Sequence, residues 1–153
     1  MQLRLIAVDK VRAPYVAQAC DEFRKRLAPY FSLDEIDVRP SHGADPAVAM
    51  ATESERIRRL LRPDDVVWLL ERTGRAYSSE QLAREIDAIA HSGVTRVTFV
   101  VAGTYGSDAA LRKRANVLWS LSELTFLHEW ARMIVLEQLY RSAKIMRNEP
   151  YHH

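Results

Sequence analysis

The chain has 153 residues, 48% of them hydrophobic and 27% charged, which is ordinary for a globular protein and enough for one compact domain with a real core. No apolar stretch reaches the ~20 residues of a membrane span, and Met1 opens no signal-peptide pattern, so neither a membrane nor a secretory route is expected. A net charge of +2 is too mild to mark a nucleic-acid binder by itself, and the single cysteine, Cys20, excludes an internal disulfide and fits a reducing, cytoplasmic compartment.

Strand-like and helix-like patterns alternate along the chain. The run 3–8 reads as a strand, and 15–27 follows with Val16, Ala19, Cys20, Phe23 and Leu27 at amphipathic-helix spacing. A weaker strand is predicted over 33–38. Asp45 before Pro46 is an N-cap with proline at the first helical position, opening a helix that runs through Leu61 and closes before Pro63. The third strand is 65–70. Ser78 and Gln81 offer a capping box for a helix to about His91, which Gly93 ends. Strands over 97–101 and 118–121, separated by a short helix, precede one long helix from His128 to Met146. Its residues Trp130, Met133, Ile134, Leu136, Leu139, Tyr140 and Ala143 spread wider than a single stripe, as in a helix buried on more than one side. This alternation predicts an α/β fold, a mainly parallel sheet flanked by helices, with residues 1–153 as a single domain.

In an open parallel sheet the ligand sits beyond the carboxyl ends of the strands. Three loops are marked there: Leu70 to Gly74, Ala102 to Gly106, and Leu121 to Phe126. Glycine lets the backbone approach a ligand closely. A lone G-x-x-G is nevertheless most often a plain turn, and neither the dinucleotide glycine pattern nor the phosphate loop occurs. Of the 22 basic residues only Lys10, Lys25, Lys113 and Lys144 are lysine, and arginine is the better bidentate partner for phosphate; an arginine-rich proteome explains the bias equally well. Cys20, on an apolar helix face, reads as core. His128 is in place to cap the long helix, and Glu137 to pair with Arg141 four residues on.

Taken together, the motifs are more specific than any one loop. Leu70 and Glu71 before Gly74, the strand end leading to Gly103 and Gly106, Trp119, Ser120, Leu121, Ser122, Leu124 and Thr125, then His128, Arg132, the run from Glu137 to Arg141, and Pro150, Tyr151 and His152 resemble the RlmH family. These are SPOUT-class methyltransferases acting on N3 of a pseudouridine in 23S ribosomal RNA, and the resemblance covers nearly the whole chain. It implies a SPOUT α/β knot, in which the carboxyl segment threads a preceding loop as a trefoil, one of the rare exceptions to unknotted chains. It also implies S-adenosylmethionine as cofactor, a homodimer, 23S rRNA or the assembled ribosome as partner, and no metal.

Carried over by position, Leu70, Gly103, Leu121, Ser122, Glu123, Leu124, Thr125 and Phe126 bind the cofactor. His152, Tyr151 and Arg141 are the catalytic residues, and Arg132 and Arg141 contact RNA. The acceptor is an imide nitrogen, so His152 is the natural base or positioning group and Tyr151 a residue to stack on or orient the base. Three positions depart from the family pattern: Ala102 replaces a usual glycine, Leu127 stands where a proline is usual, and Tyr105 is bulkier than expected. Two other readings accompany this one: a SPOUT methyltransferase for another RNA, and a non-catalytic knotted dimer that binds RNA or the ribosome.

Overall fold

A computed structural model describes residues 1–43 and 45–151. The elements run β1 (Gln2–Val8), α1 (Pro14–Leu27), β2 (Ser32–Val38), α2 (Pro46–Arg58), β3 (Val66–Ala76), α3 (Ser79–His91), β4 (Arg96–Val101), α4 (Ala109–Arg114), β5 (Val117–Ser120) and α5 (His128–Met146). The strands form one sheet of order β2-β1-β4-β3-β5, and every pairing is parallel. β4 lies at the centre, and its six residues are all buried, as a strand covered on both faces requires.

Alternation along the strands divides the core into two layers. Leu3, Leu5 and Ala7 of β1, with Val97, Phe99 and Val101 of β4, pack against Val16 and Cys20 of α1, Leu82 and Ile86 of α3, and Val135, Leu136 and Leu139 of α5. On the other face Ile6, Val8, Val67, Leu69 and Val100 meet Ile57 of α2 and Leu111 of α4. Cys20 is fully buried, and desolvation pushes its thiol pKa up, so it is core material. No helix is long and apolar enough to cross a membrane, among the described residues.

Local chemistry explains most boundaries. The Asp45 carboxylate accepts from the Ala47 amide with Pro46 at the first helical position, and Ser78 and Gln81 form the complete capping box. Two expectations are corrected. α2 stops at Arg58; Leu60 and Leu61 continue the apolar pattern into turns, their amides bonding Ile57 and Arg58 carbonyls. The stretch from Leu70 to Gly74 is not a loop after β3 but part of it. Trp119 of β5 pairs with both Leu70 and Arg75, so the four residues 71–74 are extruded between them before the strand resumes.

Candidate active site

The strand ends converge where the sequence placed them. A cleft of about 490 Å³ is lined by Leu70, Glu71 and Arg72 of β3, Val101 to Thr104 and Gly106 after β4, Trp119, Leu121, Ser122 and residues 124–128 after β5, and Ala131 of α5. All the predicted cofactor residues line it except Glu123, which is exposed, with its carbonyl 3.5 Å from Arg72 Nη1. The first loop is closed by a bond from the Gly106 amide to the Gly103 carbonyl (3.0 Å), with Gly106 at φ +83°, a conformation that favours glycine. In the second, the Ser122 hydroxyl accepts from the Leu124 amide at 3.0 Å, and the Ser120 hydroxyl sits within 3.0 Å of the Arg72 and Ser122 carbonyls, joining the run to the β3 excursion. Behind the cleft Trp68, Phe99 and Trp119 pack edge-to-face or tilted, a rigid apolar floor.

The departures from the family pattern are absorbed locally. Ala102 keeps φ out of the left-handed region, so its methyl brings no backbone strain. Leu127 is the N-cap of α5 at φ −56°, the value a proline imposes, so the backbone course is kept without the ring. Tyr105 is half exposed at the lip of a neighbouring cleft. His128 does not cap α5 with its side chain; it lines both clefts.

The tail residues gather elsewhere on α5. Arg141 donates from Nε and Nη2 to Glu137 Oε1 at 3.0 and 2.6 Å, confirming the expected i,i+4 pair, and the Tyr151 hydroxyl donates to the same oxygen at 2.6 Å. The Arg141 guanidinium lies 3.8 Å from the centre of the Tyr151 ring, and Tyr140 packs against that ring at 5.2 Å. Burial, and then the bond to Glu137, push the Tyr151 pKa up to about 12, so at neutral pH its hydroxyl keeps its proton. The tail is anchored by Glu149, which accepts from Tyr30 at 2.5 Å and Lys144 at 2.7 Å, after Asn148 turns the chain at φ +52°. His152 lies outside the described residues.

Arg132 is held within the chain. It is buried, donating to Asp37 Oδ1 at 2.7 Å and to the Asp9 carbonyl at 2.6 Å, and so clamps the turn after β1 onto α5. Arg141 is the more accessible of the two arginines expected at RNA.

Sequence reasoning missed a second cleft of about 370 Å³ that shares Gly103, Thr104 and His128 with the first and is otherwise lined by Val8, Asp9, residues 40–43, Glu53 and Tyr105. Glu53 is only 4% exposed. Its Oε2 accepts from the Ser41 amide at 2.9 Å, while Oε1 has no hydrogen-bond partner among the described residues. A Cβ at position 103 would stand 2.6 Å from Glu53 Oε1 and 3.1 Å from Val8 Cγ1, so a side chain there would displace the Glu53 carboxylate. The Asp9 carboxyl is raised by burial, but the bonds from Arg12 and the Lys10 amide more than offset this, leaving its pKa below the ordinary value. The sequence did hold a signal for Glu53: Ala49, Glu53 and Ile57 recur every four residues on the buried face of α2. Among the described residues, no group of three or more His, Cys, Asp or Glu side chains is disposed to hold a metal ion.

Residues 1–152 match the family described as "Predicted SPOUT methyltransferase". The chain is 36% identical over 159 residues to the "Ribosomal RNA large subunit methyltransferase H" of Natranaerobius thermophilus, covering 100% of both proteins. It is 38% identical over 153 residues to the protein of that name from Gloeobacter violaceus, covering 100% of this chain and 99% of the other. The protein of the same name from Nitratidesulfovibrio vulgaris is 39% identical over 152 residues, covering 99% and 98%. Among solved structures, the tRNA (m1G37) methyltransferase of Aquifex aeolicus superposes with a TM-score of 0.53 over 100% of this chain and 75% of that one, at 16% identity, a likeness of fold.

Proposed function

The chain belongs to the SPOUT methyltransferase family, and from that premise we propose that it methylates N3 of a pseudouridine in the 23S rRNA of the large ribosomal subunit, as a homodimer of single, knotted domains. It is an RNA methyltransferase whose methyl donor is S-adenosylmethionine. The observation that carries the reading is the cleft between the 102–106 and 121–126 runs. Its volume of about 490 Å³ suits a nucleoside-sized ligand. Leu70, Trp119, Leu121 and Phe126 supply apolar walls for a purine, and the small residues at 102–103 let backbone groups reach its polar edge. Trefoil threading of the carboxyl segment is part of the proposal.

When bound, S-adenosylmethionine supplies a methyl group on a sulfonium that needs no further activation. The chain has to hold the acceptor nitrogen in line and take its proton. Tyr151, with its pKa near 12, acts as a hydrogen-bond donor and stacking surface rather than as the base. His152 takes the N3 proton, because an imidazole titrates near neutrality. Arg141, held over the Tyr151 ring by Glu137, faces the negative charge that develops on the imide and contacts RNA.

Distance supports the proposed dimer. Ala131 lines the cleft and Arg141 lies ten positions along α5, about 15 Å of helix. In the proposed homodimer the tail of one protomer serves the cleft of its partner. Exposed Leu124, Leu127 and Trp130 beside the cleft, with Tyr15 bonded to the Trp130 indole at 3.2 Å, offer the apolar surface such an association needs.

The test is methyl incorporation from labelled S-adenosylmethionine into ribosomes lacking the modification, with pseudouridine or uridine at the target. The wild type is expected to methylate the pseudouridine substrate, and His152→Ala to lose ~10²–10⁴-fold in rate while keeping its melting temperature and cofactor binding. Equal methylation of both ribosomes, or of neither, contradicts the proposal.

A further inference from the structure

The smaller cleft opens against the larger one across a wall made of Gly103, Thr104 and His128, so a ligand in one stands beside a ligand in the other. Against that wall, in the smaller cleft, lies the buried carboxylate of Glu53, with one oxygen bonded to the Ser41 amide and the other, Oε1, without a hydrogen-bond partner among the described residues. Leaving such an oxygen buried without a donor is unfavourable. Tethering the loop at Ser41 needs one oxygen, which a glutamine would also provide. Oε1 lies close against Gly103, which both clefts share: a Cβ there would stand 2.6 Å from it. The remaining polar groups of the cleft, Asp9, Ser41, His42, Thr104 and Tyr105, make it a place for a small planar ligand that brings N–H donors.

We propose that this cleft seats the acceptor base and that Glu53 is a specificity residue, accepting the N1–H by which pseudouridine differs from uridine. The inference rests on the methyltransferase reading. Pseudouridine is joined to its ribose through C5, so N1 and N3 both carry hydrogen on either side of the C2 carbonyl. In uridine N1 bears the sugar and has no hydrogen to give. A base held at N1 by Glu53 keeps N3, its near neighbour in the ring, close to the shared wall and the cofactor cleft. A uridine placed the same way leaves the carboxylate oxygen without its donor, the asymmetry by which hydrogen-bonding sites reject an analogue lacking the group.

Glu53→Gln isolates the effect. The amide oxygen takes over the bond from Ser41, and the NH₂ group turns toward Gly103, so a donor replaces the acceptor. The variant is expected to keep the wild-type melting temperature and calorimetric affinity for S-adenosylmethionine, and its preference for pseudouridine over uridine RNA, as a ratio of kcat/KM, should fall by roughly tenfold or more. A second arm uses the wild type alone: RNA carrying N1-methylpseudouridine at the target should be methylated at N3 more slowly than pseudouridine RNA by a similar factor. An unchanged preference in E53Q, or equal rates on the two wild-type substrates, overturns the assignment. Weakened cofactor binding in E53Q also overturns it, by placing Glu53 at the cofactor instead of the base. If the wild type fails to methylate pseudouridine RNA, the failure belongs to the proposed function, so the two are distinguishable.

Discussion

The amino and carboxyl ends of the strands differ in what they do with their polar groups. At the amino end, Asp65 and Arg96 are both buried and joined by two bonds of 2.7 Å, Arg62 adds its amide to Asp65 at 2.9 Å, and Arg4 reaches Asp34 at 2.7 Å across β1 and β2. Arg114 ties the start of α4's exit to the same corner through the Arg62 and Asp65 carbonyls. At the carboxyl end the two clefts open, Glu53 Oε1 lacks a partner among the described residues, and Leu124 and Leu127 face outward. The amino end joins its buried charges in a closed pair; the carboxyl end keeps a buried carboxylate oxygen beside two open clefts, which is what binding requires. Stability and ligand affinity should therefore respond to substitutions at different ends.

The largest expected effect is at the closed end. Asp65→Asn leaves Arg96 buried without a counter-charge and should cost about 3–5 kcal/mol, which at about 2–4 °C per kcal/mol lowers Tm by roughly 6–20 °C, with cofactor affinity of the folded protein unchanged. The pair also sets a pH dependence. Burial raises the Asp65 pKa, but the bonds from Arg96 and the Arg62 amide more than offset it, leaving it below the ordinary value. A depressed carboxyl pKa means that the stabilisation is complete above about pH 3.9 and is lost as the pH falls further; D65N should flatten that acid limb in melting curves. Gly103→Ala at the open end is expected to cost about 1–3 kcal/mol, because the new methyl meets Glu53 Oε1 and Val8 and pushes the 102–106 loop toward the cofactor cleft, appearing mainly as roughly tenfold weaker cofactor binding in calorimetry. A drop in Tm as deep as that of D65N would erase the distinction between the ends. Smallest is Tyr151→Phe, which removes one hydrogen bond to Glu137 and about 0.5–1.5 kcal/mol. Since Tyr151 titrates only near pH 12, the pH profile of methyl transfer between 6 and 9 should keep its shape in this variant; loss of its ascending limb would make Tyr151 the base.

Legibility in the sequence follows the same division. The helices were readable because their limits are local chemistry: Asp45 with Pro46, and Ser78 with Gln81. The long helix spans His128–Met146 as its apolar spread indicated, since it packs on both α1 and α3. β3 was cut short at Leu70 because residues 71–75 lack alternation; their place in the strand is set by Trp119 of β5, a tertiary partner. Leu60 and Leu61 prolonged the apparent α2 because apolar spacing continued although the backbone had already turned. The residues proposed to bind the cofactor were picked out by their motifs, and seven of the eight line the cleft. The internal use of Arg132 was not legible, for its partners Asp37 and the Asp9 carbonyl lie far away in the chain. Glu53 stood on a buried helix face in the sequence, but only its neighbours Ser41 and Gly103 reveal an unfilled oxygen.

Hydrogen–deuterium exchange with and without S-adenosylmethionine reports where along the chain the cofactor sits. The account predicts added protection at residues 102–106 and 121–128, with little change at 62–66 and 94–97, where the backbone is already held by the Asp65 and Arg96 corner. Protection confined to the amino ends of the strands, or none at saturating cofactor, would contradict it.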